Sequence, residues 1–359
     1  MRLLVVTNDY PPKPGGIQQY LANLVDAYPY PVQVVAPADR PATGTAKGEA
    51  VVRRHRRRFM WPTRHVSSFI RRAAAEFQPD AVLFGAPYPL TPLGPGLGKE
   101  LGVPVAVLCH GAEVTIPSAL PGLQQLLGRT LRKLDARFAV SHFTGERVAR
   151  LTGRPVHYLG GGVDLAAYAP PPEPPRNEPP VIGCVSRFVP RKGQHRLIAA
   201  AAELRRRGLA TSLLLVGKGR TEPRLRRLAE RSGVPVRFEV DVPWERLGDL
   251  YREMDAFCMP CRSRWGGVEV EGLGLVFLEA AATGLPVLAG DSGGAPETVL
   301  PGETGFVVHS VGDIVDGLEY LLDDPARAGA MGREGRSRVE REFTWDRVVE
   351  RLVEGLSGT

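Results

Sequence analysis

Cysteine is scarce: the 359 residues hold four, Cys109, Cys184, Cys258 and Cys261, too few for the disulfide framework of a small secreted domain. Cys258 and Cys261 form a C-x-x-C, yet no second ligand pair stands at zinc-site spacing. Cys258 also ends the apolar run Ala256–Met259 rather than opening a helix, as a thioredoxin-type thiol would. The pair reads as small buried hydrophobes, in a chain that works in a reducing, cytoplasmic compartment. Long hydrophobic runs are missing too. Met1-Arg2 leads straight into the short run Leu3–Val6, far below signal length. Gly272–Gly290, the stretch most easily mistaken for a span, is interrupted by Glu279, glycines and Pro286. G-x-G-x-x-G does not occur, which sets NAD and FAD aside. Nor does D-x-D, only Glu269-Val270-Glu271; metal-dependent sugar transferases need acids to hold Mg²⁺ or Mn²⁺ against a diphosphate. No cofactor and no metal are expected. Lysine is rare as well, with six among 46 basic residues, so the net charge of +7 is carried by arginine. It favours anionic partners: nucleotide phosphates, lipid headgroups or nucleic acid.

What is present is a globular composition, 43% hydrophobic, over a length that suits two domains. Short apolar runs alternate with amphipathic stretches, the signature of parallel strands separated by helices. In the first half the strands read Leu3–Thr7, Val32–Ala36, Ala81–Phe84, Val105–Cys109, Ala136–Val140 and Val156–Tyr158. The stretch Tyr168–Pro180, Y-A-P-P-P-E-P-P-R-N-E-P-P, fits neither helix interior nor central strand. A second series follows: Val181–Val185, Ser212–Val216, Val236–Val240, Ala256–Met259, Pro286–Ala289 and Gly305–Val307. The expected division is 1–168, a stiff linker 169–180, 181–342, and a last helix 343–359 with a clean apolar face. The fold class is α/β, two doubly wound halves, each binding ligand beyond the carboxyl ends of its strands and facing the other across a cleft.

Four constellations carry chemistry. Asp9-Tyr10-Pro11-Pro12-Lys13-Pro14-Gly15-Gly16 joins the first strand to the first helix, and its paired glycines let backbone approach an anion at a helix N-terminus. Arg187 ends a strand and Lys192 follows just before a helix, so both can converge on the charge of a leaving diphosphate. In Glu271-Gly272-Leu273-Gly274-Leu275-Val276-Phe277-Leu278-Glu279, one acid stands in a glycine-bearing loop and the other inside the next helix. Carboxylates accept from sugar hydroxyls, and the loop can offer N–H groups to phosphate; a buried, locally satisfied Glu279 is the plainer account. His110 closes the strand Val105–Cys109 at the same carboxyl edge. Two glycine turns are read more modestly: Gly217-Lys218-Gly219 as a strand-to-helix turn, and Gly293-Gly294 as a close approach to a ligand or to the other half.

Arg53, Arg54, Arg56, Arg57 and Arg58 run into Phe59-Met60-Trp61. Basic residues beside aromatics suit an anionic membrane surface, a nucleic-acid patch competes, and a solvated loop or strand edge has even standing with both.

With these residues in view, the chain resembles the GT-B, family 4 retaining glycosyltransferases over essentially its whole length. The likeness is carried by P-P-x-x-G-G-I-Q at 11–18, H-G-x-E at 110–113, G-V-D at 162–164, R-F-V-P-R-K-G at 187–193, the E-x7-E at 271–279 and G-G-x-P-E at 293–297. Within that family it looks most like the GDP-mannose-dependent phosphatidyl-myo-inositol monomannoside mannosyltransferases. The resemblance implies a nucleotide sugar as donor, GDP-mannose, and a lipid-linked or saccharide acceptor, with no role for nucleic acid. It implies that Arg187 and Lys192 bind the donor diphosphate, Glu279 the ribose, Glu271 and His110 the transferred sugar, and Gly16, Gly272, Leu273, Gly274 and Leu275 the donor's phosphate side. It implies a last helix that returns to the first half; the cysteine usage and the basic segment add the expectation of a cytoplasmic enzyme, peripheral on the inner membrane face. Another donor and acceptor, a nucleotide-sugar epimerase and a non-catalytic basic module are the competing readings. Gly161, Ala112 and Glu239-Val240-Asp241 depart from the common pattern.

Overall fold

The computed structural model describes residues 1–38, 51–173 and 177–358. They divide into two compact units, Met1–Gly162 with Trp345–Thr359, and Val163–Thr344.

The first unit is built on β1 (Leu3–Val6), β2 (Val32–Pro37), β3 (Val51–His55), β4 (Ala81–Phe84), β5 (Val105–Cys109), β6 (Ala136–Ala139) and β7 (His157–Tyr158). They form one sheet in the order β3-β2-β1-β4-β5-β6-β7, every pair parallel. Its helices are α1 (Gly16–Ala27), α2 (Arg64–Phe77), α3 (Gly94–Leu101), α4 (Ala112–Ser118), α5 (Pro121–Arg132) and α6 (His142–Thr152). β1, β4 and β5 are buried at every position, which is why they read as unbroken aliphatic runs rather than alternating ones. Among the described residues β3 pairs with β2 alone, and only His55 of it is buried. The start of the arginine run is thus a strand edge, the plainest of the readings of that segment, and charge on an edge discourages further strand pairing.

The second unit holds β8 (Val181–Val185), β9 (Ser212–Val216), β10 (Val236–Glu239), β11 (Ala256–Met259), β12 (Val287–Gly290) and β13 (Gly305–Val308), in the order β10-β9-β8-β11-β12-β13. Around it lie α7 (Gln194–Arg206), α8 (Glu222–Ser232), α9 (Leu247–Arg252), α10 (Leu275–Ala282), α11 (Val311–Leu322) and α12 (Pro325–Glu342). In each sheet the strand order reverses at one place, between β1 and β4 and between β8 and β11, and sheets of this kind bind ligands at the carboxyl ends of the strands beside that reversal.

α13 (Trp345–Ser357) belongs to the first unit. The Trp345 ring meets Tyr20 of α1 edge-on at 5.2 Å, and a Cβ on Gly162 would lie 2.4 Å from that indole. The expected return of the last helix is therefore present. The first crossing between units comes earlier than the proline-rich stretch, at Gly162–Val163. Hydrogen bonding explains the difference: Arg252 donates to the carbonyls of Ala167 and Ala169, and Asn177 to Asp255, tying this segment to the second unit. Residues 174–176 of the expected linker lie outside the described residues.

Candidate functional site

In the second unit the site grows from the loops at the reversal. β8 ends at Val185, and the chain runs through Ser186–Gly193 into α7. Gly193 has φ +79°, and a Cβ there would lie 2.1 Å from the Pro260 carbonyl, so only glycine lets this loop close against the one leaving β11. Arg262 donates its N–H to the Arg191 carbonyl at 2.9 Å, locking the two loops together. The result brings Lys192 and Glu271 into contact: Lys192 Nζ lies 2.7 Å from Glu271 Oε2. Arg191 donates to the same oxygen and reaches Glu269 at 3.8 Å. Lys192 Nζ also lies 3.5 Å from Met259 Sδ at the end of β11.

Glu271 is only 8% exposed. Burial raises its carboxyl pKa, but Lys192 and Arg191 outweigh that and pull it down to about 2. Its backbone is clamped as firmly: Ser292 Oγ accepts its N–H at 3.1 Å, and its carbonyl accepts from Gly294 at 3.1 Å. Gly293, with φ +59°, would place a Cβ 2.0 Å from that carbonyl. The Gly293-Gly294 pair therefore makes room for Glu271 of its own unit. Gly217 and Gly219 are likewise structural, since Cβ atoms there would meet the Ser186 and Phe188 carbonyls at 2.2 and 2.4 Å.

Glu279, on α10 and 4% exposed, has other company. It accepts from Tyr251 Oη at 2.9 Å, and the Tyr168 hydroxyl stands beside it. Burial raises its pKa to about 7 against the opposing pull of those two hydroxyls. Between the acids, Leu273 is buried, Gly274 (φ +88°) caps α10 without a side-chain bond, and Leu275 opens that helix, with Gly272 in the loop before it. The N-terminus of α7 also lacks a side-chain cap. By contrast Thr63, Ser141, Ser310 and Asp324 cap α2, α6, α11 and α12. Uncapped N–H groups at α7 and α10 suit an anion. Asp241, at φ +56°, pairs with Lys218 beyond β10.

Sequence reading chose Arg187 as the partner of Lys192. The structure places Arg187 on the surface at the end of β8, and among the described residues its side chain has no hydrogen bond or ion pair. Arg191 takes the buried position. Two adjacent basic residues before a glycine give no sequence signal that both turn inward, yet Arg191 and Lys192 are both buried and both reach Glu271. Tyr168, Tyr251 and Ser292 were also missed, because each is remote in sequence from the carboxylate it serves.

In the first unit, His110 follows β5 and is 8% exposed. Its Nε2 lies 3.0 Å from the Gly85 carbonyl beyond β4; a carbonyl only accepts, so Nε2 carries the proton and Nδ1 keeps a lone pair. Burial lowers its pKa, which holds the ring neutral. Tyr20 packs edge-on at 5.3 Å, and Glu113 accepts the N–H groups of His110 and Gly111. Gly16 opens α1, whose N-terminus has no side-chain cap, and a Cβ on Gly16 would meet nothing within 4 Å. Nearby, Asp9 accepts from Gln18 at 2.6 Å and Lys13 at 3.1 Å. The four cysteines are all free and buried, and burial raises each thiol's pKa.

Two parallel sheets of this topology, with a cation–carboxylate cluster at one reversal, define a Rossmann-type α/β protein with an anion-suited site. The chain belongs to the family 4 glycosyltransferases: the family described as Glycosyltransferase Family 4 matches residues 14–167, and that described as Glycosyl transferases group 1 matches 169–338. It is 41% identical to a GDP-mannose-dependent alpha-(1-6)-phosphatidylinositol monomannoside mannosyltransferase of Mycolicibacterium smegmatis, over 99% of this chain and 98% of that one. It is 38% identical to a GDP-mannose-dependent monoacylated alpha-(1-6)-phosphatidylinositol monomannoside mannosyltransferase of Corynebacterium glutamicum, over 98% and 97%. Among solved structures, the Anabaena protein HepE in complex with UDP and glucose superimposes with a TM-score of 0.79 at 19% identity, covering 99% of each chain. Sucrose-phosphate synthase of Thermosynechococcus elongatus gives 0.76 at 19%, covering 98% and 97%. These likenesses establish the GT-B fold, and the chain is a glycosyltransferase.

Proposed function

We propose that the enzyme moves mannose from GDP-mannose to a phosphatidylinositol mannoside-type lipid, with retention of anomeric configuration and without a metal ion. The observation that carries this is the end-to-end identity of about 40% to mannosyltransferases with that donor and acceptor class. The Lys192–Glu271–Arg191 cluster supports it. As a diphosphate leaves, about two negative charges develop. Lys192 and the solvent-facing Arg187 supply the compensating charge, and the uncapped starts of α7 and α10 add N–H groups through Gly272, Leu273, Gly274 and Leu275. Glu271 receives the sugar's hydroxyls and Glu279 those of the ribose. On the first unit, His110 is assigned to the sugar and Gly16 to the phosphate side. Same-face attack, the departing diphosphate accepting the acceptor's proton, is the route proposed; no carboxylate stands out as a covalent nucleophile.

Contact with an anionic membrane is proposed through Arg53, Arg54, Arg56, Arg57, Arg58 and Trp61. In favour of it, Phe59, Trp61 and Tyr88 form an exposed aromatic group, 38%, 49% and 51% accessible, with ring centroids 5.0 and 6.1 Å apart. Arg53 and Arg54 are committed locally, to Glu76 and to the Pro11 carbonyl, so the lipid-facing role falls mainly on Arg56, Arg57 and Arg58. Among the described residues no helix is long and apolar enough to cross a membrane.

The test is transfer itself. Purified protein is given GDP-mannose, UDP-glucose or ADP-glucose with phosphatidylinositol monomannoside vesicles, with and without EDTA. An α-linked mannosyl product from GDP-mannose alone, undiminished by EDTA, is expected. A β-linkage refutes retention, loss with EDTA refutes metal independence, and preference for another donor refutes the GDP-mannose assignment.

A further inference from the structure

Glu279 is a buried carboxylate with no cation beside it. Among the described residues no lysine, arginine or histidine forms an ion pair with it; it accepts from the Tyr251 hydroxyl at 2.9 Å, and the Tyr168 hydroxyl stands beside it. Both rings are held firmly. Tyr251, on α9, is fully buried, packs edge-on with Tyr168 at 5.6 Å and leans on Phe257 at 5.7 Å. Tyr168 lies in the segment just after the chain enters the second unit. That segment is fixed by Arg252 on the Ala167 and Ala169 carbonyls and by Arg336 on the Tyr168 carbonyl at 3.2 Å. A Cβ on Gly248 would lie 2.3 Å from the Ala167 carbonyl, so α9 and this segment touch backbone to backbone.

One phenol donating to the carboxylate, with a second packed against it, fixes its orientation without neutralising it. A guanidinium or ammonium would do the same while claiming the charge, as Arg191 and Lys192 do at Glu271. A carboxylate oriented by neutral donors keeps its accepting strength for ligand hydroxyls. We infer that Tyr168 and Tyr251 are positioning residues for donor recognition, holding Glu279 so that it accepts from a vicinal diol of the nucleotide's sugar. This rests on the donor role proposed above for Glu279. The groups facing the carboxylate are the two phenols, with Asp164 acting on Tyr168 and Cys184 on Tyr251 from further out.

The experiment uses Tyr251→Phe, Tyr168→Phe and Glu279→Gln, alone and combined, in the full chain. Binding of GDP-mannose and of GDP is read by calorimetry, and KM and kcat by transfer. Each phenylalanine keeps its ring and removes one donor to a charged group, so donor KM rises about tenfold while kcat changes far less. The loss of GDP affinity matches that of GDP-mannose, because the diol belongs to the nucleotide. Combined with Glu279→Gln, the phenylalanine effects shrink to near nothing, since the tyrosines act through that carboxylate. The acid limb of the pH profile of donor KM moves to higher pH in each single variant, as fewer donors leave the carboxylate less stable. Unchanged donor binding in both single variants, or an equal loss in the Glu279→Gln background, overturns the inference while leaving the donor assignment standing. A wild-type chain that binds neither GDP-mannose nor GDP overturns both. Should Tyr251→Phe fold poorly, Tyr168→Phe carries the same readouts.

Discussion

Glu271 and Glu279 lie eight positions apart in the sequence and are both buried, yet one faces two cations and the other only phenols. The first is held near pKa 2 and the second near 7. Burial acts on both in the same direction, so the difference is made by what stands opposite. A shared motif therefore sets two carboxylates in place without fixing their chemistry; the partners from other loops do that. Glu271 is ionised at any working pH, whereas Glu279 can hold or release a proton near neutrality.

The largest effect expected is at the cation side of this contrast. Lys192→Ala should lower kcat/KM by about 10²- to 10³-fold, the usual cost of removing a group that meets developing charge, with an unchanged far-ultraviolet spectrum. Turnover close to wild type would remove Lys192 from the reaction. Next comes the phenol side. The native pKa of Glu279 lies above its ordinary 4.5, so the native state keeps a proton that the unfolded chain has lost. Its contribution to stability thus falls as pH rises from about 4.5 to about 7, by about 3 kcal/mol in all. Glu279→Gln should raise the melting temperature of the ligand-free protein at pH 8 more than at pH 5; an equal shift at both would break the contrast. For Glu271 the sign reverses: its depressed value contributes stability above about 4.5 that is lost as pH falls towards 2.

A smaller effect separates the two arginines. Arg191→Ala should cost about 2 kcal/mol of stability in a denaturant titration, because it removes a buried hydrogen-bonding partner of Glu271. Arg187→Ala, on the surface, should leave stability within about 0.5 kcal/mol and weaken donor binding instead. Equal stability losses would put Arg187 in the interior. Smallest of all, Arg57→Ala should weaken binding to anionic vesicles about fivefold, in line with about 1 kcal/mol per basic residue near such a surface. Binding insensitive to both salt and this change would dismiss the basic segment as a lipid contact.

Much of the fold was legible because its central strands are buried on both faces and therefore read as aliphatic runs bounded by glycine and proline. Less was legible where composition argues against regular structure. α3 starts Gly94-Pro95-Gly96 and α4 contains Pro117, and both form because neighbouring elements pack on them rather than through propensity. At the site, the sequence pointed to Lys192 and Glu271, which the structure brings together. Arg191 was hidden beside a lysine, and Tyr168 and Tyr251 carry no local sign of their pairing with Glu279. Contacts made through folding, rather than along the chain, are where reading a lone sequence runs out.

The return of α13 has a consequence for how the molecule comes off the ribosome. Trp345, Val348 and Leu352 are buried in the first unit, so that unit lacks part of its interior until α13 has been translated. The second unit, continuous from Val163 to Thr344, is complete while the first still waits for its last helix. The usual order of assembly, amino-terminal body first, is thereby inverted. A chain that stops before Trp345 would leave an aromatic-lined gap in the half that was synthesised first.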